Sequence, residues 1–202
     1  MAASASPQSQ GFPEKFWDFS LKTYPCEGVA PTCLGLQARH GIDVNLLLYC
    51  CWFAASGRGT LDESELKRLL EATRRWQDEV AGGLRAVKHR MKKWGDDTGG
   101  NGISADQRQA FRKRVAALEV DAEMLEQEYL ERALDRASER SPSTEDRARD
   151  AATNLARLLP LLGLTPGEAE CAAAAALIAA TFPALDGAAV EALSRLKPPS
   201  PA

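Results

Sequence analysis

Ten consecutive residues, Leu46-Leu47-Leu48-Tyr49-Cys50-Cys51-Trp52-Phe53-Ala54-Ala55, leave no room for a polar face. A helix that is apolar on every side has to be surrounded by other elements, so this segment predicts the buried centre of a domain. It is far shorter than the roughly 20 residues a membrane-crossing helix needs, so no transmembrane span is expected. Upstream, the chain from Phe16 reads as two further short helices that would pack around it.

The chain of 202 residues is 45% hydrophobic and 26% charged, which suits one soluble domain with a substantial core. Residues Met1 to Pro7 carry neither a basic region nor an apolar core, so they predict a disordered tail rather than a secretory signal. Five cysteines, Cys26, Cys33, Cys50, Cys51 and Cys171, form an odd set with no paired framework. That favours a reducing, cytoplasmic setting. Cys26, Cys33 and His40 recur every seven residues, but a helix would separate neighbours by roughly 10 Å along its axis, too far to share one metal ion. They read as ordinary structural residues, and no cofactor is expected.

Strand signals are nearly absent, while helix starts are marked by a hydroxyl three positions before a Glu or Gln at Thr60-Leu61-Asp62-Glu63, Ser104-Ala105-Asp106-Gln107 and Thr165-Pro166-Gly167-Glu168. In the last, Pro166 would take the first helical position. Two long helices follow the apolar segment. The first carries Leu66, Leu69, Thr73, Trp76, Val80, Leu84, Val87, Met91 and Trp94 at helical spacing, and the second carries Phe111, Val115, Leu118, Ala122, Leu125 and Tyr129. Such seams favour knobs-into-holes pairing, and the Gly-rich stretch from Gly95 to Gly102 predicts a turn that folds the two back antiparallel. Gly82-Gly83 is a candidate kink. After Ser141-Pro142, helices are expected over Glu145 to Leu162, with Pro160 bending or ending it, and over Glu168 to Thr181.

The expected architecture is therefore all-α, a helical bundle with a long antiparallel coiled-coil-like hairpin. Its parts are a tail over 1–12, one domain over 13–185 and a second tail over 186–202. Within the domain, 13–57 would form the N-terminal helices, 61–140 the hairpin and 144–183 a C-terminal pair.

Net charge is only −3, yet the hairpin is strongly sorted. Between Ala81 and Arg114 lie Arg85, Lys88, Arg90, Lys92, Lys93, Arg108, Arg112, Lys113 and Arg114, and from Val115 to Glu131 there are acids and no base. Antiparallel folding would set the acidic half beside Lys67, Arg68, Arg74 and Arg75 and bring the basic ends together at a tip. Such a tip could bind an acidic protein surface or, less favoured, nucleic acid or another phosphate-rich ligand, and it could equally be a solvated end.

Near the core, Gly41 can end one helix in the left-handed conformation, Asp43 can cap the next, and His40 suits a helix C-terminus. The other reading makes a pocket of Trp17, Tyr24, Arg39, His40, Asp43 and Asn45, with His40 and Asp43 as an acid/base couple. No residue in a diagnostic position supplies a nucleophile, so no catalytic residue is assigned and an enzyme is the less favoured reading.

The segments Phe16-Trp17-Asp18-Phe19-Ser20-Leu21, Gly28-Val29-Ala30 with Cys33-Leu34-Gly35-Leu36-Gln37, and Gly41-Ile42-Asp43-Val44-Asn45-Leu46-Leu47-Leu48 through Trp52 resemble an uncharacterised family of small proteobacterial proteins. The resemblance is specific to about Leu61 and looser beyond. It implies a cytoplasmic bacterial protein and carries over no activity. The expected function is a non-enzymatic interaction or adaptor module with a basic hairpin tip. The alternatives are phosphate-ligand or nucleic-acid binding by that tip, or a small-molecule pocket or enzyme around His40 and Asn45. A homodimer is an open expectation.

Overall fold

The computed structural model describes residues 15–93, 102–134, 136 and 143–195. The expected tail over 1–12, Trp94 and most of the Gly95 to Gly102 turn lie outside the described residues. Those described form helices joined by turns, with no strand among them: α1 (Phe16–Thr23), α2 (Val29–His40), α3 (Val44–Ala55), α4 (Glu63–Trp76), a π-helical turn (Gln77–Ala81), α5 (Gly82–Lys93), α6 (Ala105–Ala133), α7 (Thr144–Leu161), α8 (Glu168–Thr181) and α9 (Gly187–Ser194). No described helix is long and apolar enough to cross a membrane.

The apolar segment is the centre, with every residue of α3 from Asn45 to Ala55 buried. Helices α1, α2, α6, α7 and α8 pack around it. Phe16 of α1 meets Tyr49 edge-on at 5.5 Å and Trp52 at 5.3 Å, and Tyr49 lies 5.6 Å from Phe53. Aromatic pairs of this kind add about 0.5–1.5 kcal/mol each beyond the area they bury. The C-terminal end of α3 is closed by two arginines. Arg58 stacks over Trp52 at 4.6 Å, and Arg136 lies over Phe53 at 5.2 Å while donating to the carbonyls of Arg58 and Thr60. On α7, Asn154 is fully buried: its Oδ1 accepts from the Leu61 amide at 2.7 Å and its Nδ2 donates to the Cys50 carbonyl at 3.1 Å.

Local signals place most helix ends. Gly41 stops α2 at φ 68°, and Asp43 caps α3 by accepting the Asn45 amide at 2.9 Å. The box at Ser104 and Gln107 forms as expected. The other two slide by two residues. Helix α4 is capped by Asp62 with Glu65, because the backbone just ahead is held elsewhere, Thr60 by Arg136 and Leu61 by Asn154. Helix α8 starts after Gly167, whose amide donates to Glu170 at 2.8 Å, so Pro166 lies outside the helix rather than at its first position. Pro160 is the penultimate residue of α7 and the helix ends just beyond it. The second expected tail, from residue 186, is corrected in part: Asp186 caps α9, which packs on α8 and α7.

At the glycines, where a kink was a candidate, a π turn ends at Ala81 and Gly82 follows it. The Gly82 amide bonds to the Gln77 carbonyl, and a Cβ on Gly82 would sit 2.6 Å from that oxygen, so only glycine fits without a shift. Beyond the turn, α5 packs along α6, and Trp76 Nε1 donates to the Ala122 carbonyl at 3.0 Å. Arg68 reaches the Ala133 carbonyl, while Arg85 reaches Glu119 and Glu123, so advancing along α4 and α5 means retreating along α6.

Helix α6 presents a different face from the one its hydrophobicity predicts. Of the expected seam, Val115 and Ala122 are buried, but Phe111, Leu118, Leu125 and Tyr129 are exposed, Leu118 at 53%. The inward positions are Val115, Glu119, Ala122, Glu126, Gln127 and Leu130. The expected pairing of the acidic half with Lys67, Arg68, Arg74 and Arg75 is also corrected. Lys67 and Arg75 pair within α4 and its π turn, with Glu63 and Glu79, whereas Glu119 is gripped by Arg85 and Lys88. Polar groups on α1, α3 and the π turn find their partners on this inward face of α6, and each would carry a desolvation cost if buried without one.

Candidate functional site

Four helices build a cavity of about 390 Å³: α1, α2, α3 and α6. Its walls are Trp17, Leu21, Tyr24 and Pro25 from α1 and the turn after it, Leu34 and Gln37 from α2, Val44 and Leu48 from α3, and Val120 from α6. Leu21, Leu34 and Val120 are each about half exposed, at 56%, 50% and 49%, and they make its mouth apolar.

The polar groups of the cavity are linked in sequence. The Ser20 hydroxyl donates to Gln127 Oε1 at 2.7 Å, Gln127 Nε2 donates to Asn45 Oδ1 at 2.7 Å, and Asn45 Nδ2 donates to Glu126 Oε2 at 2.7 Å. Glu126 Oε2 also accepts from Gln77 Nε2, which lies 3.2 Å from Asp43 Oδ1. The chain thus runs beneath α6 from the first cavity to a second of about 510 Å³, which Asp43 and Gln77 line together with Lys67, Glu71, Arg74 and Asp78. Each amide in the chain has one N–H left after the bonds named here, apart from Gln77, which shares a nitrogen between two carboxyls.

Asp43 and Glu126 are brought together by Gln77, whose Nε2 lies on an oxygen of each, and their other oxygens, Asp43 Oδ2 and Glu126 Oε1, are buried with no hydrogen-bond partner. Burial and then the charge of Glu126 hold the Asp43 carboxyl well above the usual carboxylate range. Burial also raises Glu126, against the hydrogen bonds from Asn45 and Gln77. Two like charges sharing one amide nitrogen cannot both ionise cheaply, which favours a proton kept between them. At the cavity wall, burial raises Glu123 while Arg85 opposes the shift at 3.2 Å, and burial raises the Tyr24 phenol.

Of the residues expected to form a pocket, the fold brings Trp17, Tyr24 and Asn45 to the first cavity. Asp43 stands one layer behind, on the second. Arg39 and His40 line neither. His40 pairs with Glu170 of α8 at 3.4 Å, and the Arg39 guanidinium lies back over Gly35, so the His40–Asp43 acid/base couple does not form. Ser20, Gln77, Glu123, Glu126 and Gln127 were not foreseen. The available signal was the spacing Val115, Glu119, Ala122, Glu126, Leu130, which is as helical as the apolar stripe beside it.

The basic-tip residues divide as well. Arg85 and Lys88 are engaged with Glu119 and Glu123, and Arg108 bonds the Ile103 carbonyl at the start of its own helix. Arg90, Lys92, Lys93, Lys113 and Arg114 are exposed and Arg112 is half-buried. The cysteines sit apart: Cys33, Cys50 and Cys51 are buried, and burial pushes the thiols of Cys33 and Cys51 up to about 11 and about 12. Among the described residues no group of three or more His, Cys, Asp or Glu side chains is placed to hold a metal.

Such an arrangement can hold a molecule by an apolar body and a polar end, and shows no activated nucleophile. No curated protein and no solved structure matches the chain. Residues 15–130 match the family model described as a protein of unknown function, DUF2390, a segment from α1 nearly to the end of α6 that contains every residue lining the first cavity. The chain belongs to this family of proteins of unknown function, DUF2390.

Proposed function

We propose that the protein is a binding protein whose cavity between α1, α2, α3 and α6 takes a small amphipathic molecule. The observation that supports this reading is the cavity's construction: apolar walls and an apolar mouth over a floor of hydrogen-bonded Ser20, Asn45 and Gln127. Its volume of about 390 Å³ falls in the range of small-molecule sites, which are apolar with a few placed polar groups. Asn45 and Gln127 offer spare N–H donors to a hydroxyl or carbonyl, and Glu123 is the one charged side chain of the lining. That composition favours a neutral or cationic head group over an anionic one.

Calorimetric titration with decanol, decylamine and decanoate separates the head groups on one tail. Decanol or decylamine binds and decanoate does not, and Val120→Trp at the exposed mouth removes binding while leaving thermal unfolding unchanged. Absence of binding by all three, or undiminished binding to the Val120→Trp protein, overturns the reading.

An adaptor role is the second reading, favoured by the exposure of Arg90, Lys92, Lys93, Lys113 and Arg114 at one end of α5 and α6. The partner would be an acidic protein surface. Nucleic acid would bind there with an affinity that falls steeply with salt, because phosphate counterions are released. Both readings suit a cytoplasmic protein with free thiols.

A further inference from the structure

We propose that α6 is a self-association helix, and that two copies of the chain pair antiparallel through its outer stripe, with Leu118 at the twofold axis. This goes beyond the cavity reading and does not depend on it. Phe111, Leu118 and Leu125 recur every seven residues on a helix of 29 residues and are exposed at 51%, 53% and 50%. With Tyr129 they form one apolar line about 27 Å long. The line continues into a groove of about 230 Å³ between α4 and α6, lined by Trp76, Leu125 and Tyr129. Val120, at the cavity mouth, lies on the opposite flank of α6, two residues or about 200° from Leu118. The two apolar patches are therefore separate surfaces.

Charge selects the occupant and its direction. Beside the stripe, on the flank away from α4 and α5, lie Arg114, Asp121 and Glu128, all exposed. Face-to-face antiparallel helices bring the same flank of each together. With Leu118 on Leu118 of the second copy, Phe111 falls on Leu125 and Arg114 falls within one residue of Asp121, each contact occurring twice by symmetry. A parallel pair would instead set the charged flank of each copy against the α4 flank of the other, where Val115 and Ala122 are buried and offer no opposite charge. The charge sorting of α6, basic before Val115 and acidic after it, thus finds its complement in a second copy of itself.

Sedimentation equilibrium of the full chain tests the pairing. The protein is expected to dimerise, and Leu118→Asp to raise the dissociation constant at least about tenfold, since each copy loses a leucine contact. Because Leu118 is exposed in the single chain, its thermal unfolding under dilute conditions stays unchanged. Asp121→Arg weakens the dimer and Arg114→Asp in the same chain restores it. Direction is read with a short thiol cross-linker: Phe111→Cys mixed with Leu125→Cys links the two variants, and Phe111→Cys alone gives no link above wild type. A chain monomeric at its highest soluble concentration overturns the proposal, as does a dimer indifferent to Leu118→Asp or self-linking by Phe111→Cys.

Discussion

Helices α3 and α6 both run through the heart of the domain, yet they reached their orientations by opposite routes. Helix α3 is apolar from Leu46 to Ala55 and is enclosed on every side, with Asn45 in its first turn the one side chain hydrogen-bonded to α6. Helix α6 had two candidate faces. It buries Glu119 and Glu126 at 5% and 3% exposure while leaving four large apolar side chains in solvent. Hydrophobicity alone decides the place of a helix only when no competing polar demand is nearby. Next to α6, Ser20, Asn45, Gln77, Arg85 and Lys88 make that demand, and each finds its partner on α6.

The contrast can be broken at several points. Trp52→Ala in α3 removes the largest fully buried side chain and should cost about 3–5 kcal/mol, read from denaturant unfolding. Glu126→Ala should come next, at about 1–3 kcal/mol, because the buried Asn45 amide loses its acceptor while Gln77 keeps only Asp43. A loss below about 0.5 kcal/mol would mean that α6 is not oriented by its acids.

The glycines at the π turn give a smaller, signed test. Gly82→Ala should destabilise, since its Cβ would meet the Gln77 carbonyl. Gly83→Ala, with open space around it, should stabilise by up to about 1 kcal/mol. Equal effects would show that the close approach of Gly82 to the Gln77 carbonyl does not hold the π turn.

The smallest expected effect is a slope. Asp43 and Glu126 are raised in the folded protein, so above the unfolded carboxylate range, about pH 4, the folded state binds more protons than the unfolded one. Their contribution is fully present below that range and is lost as pH rises through the raised folded values. Asn at position 43 can still cap α3 and carries no charge. Asp43→Asn should therefore flatten the fall of melting temperature between mildly acidic and neutral pH, and an unchanged slope would show that the pair does not share a proton.

Much of the fold was legible locally. The apolar run named α3 as the centre, Gly41 and Asp43 marked the break between α2 and α3, and Ser104 with Gln107 marked the start of α6. Where two capping boxes overlapped, as at Thr60 and Asp62, local chemistry was degenerate, and distant Asn154 and Arg136 chose between them. The candidate cavity was half legible. Trp17, Tyr24 and Asn45 stood out as polar or aromatic groups near an apolar core, but Gln127, which ties Ser20 and Asn45 together, comes from 107 and 82 residues further along the chain.

By itself, then, the sequence determined most helix ends to within about two residues and which helix lies at the centre, because capping, glycine conformation and uniform hydrophobicity act within a few residues. Only the tertiary structure decided which face α6 turns inward, where Arg39 and His40 go, and which bases remain free. Those choices depend on partners far along the chain, and a buried carboxylate is tolerable only once its donors have been carried to it.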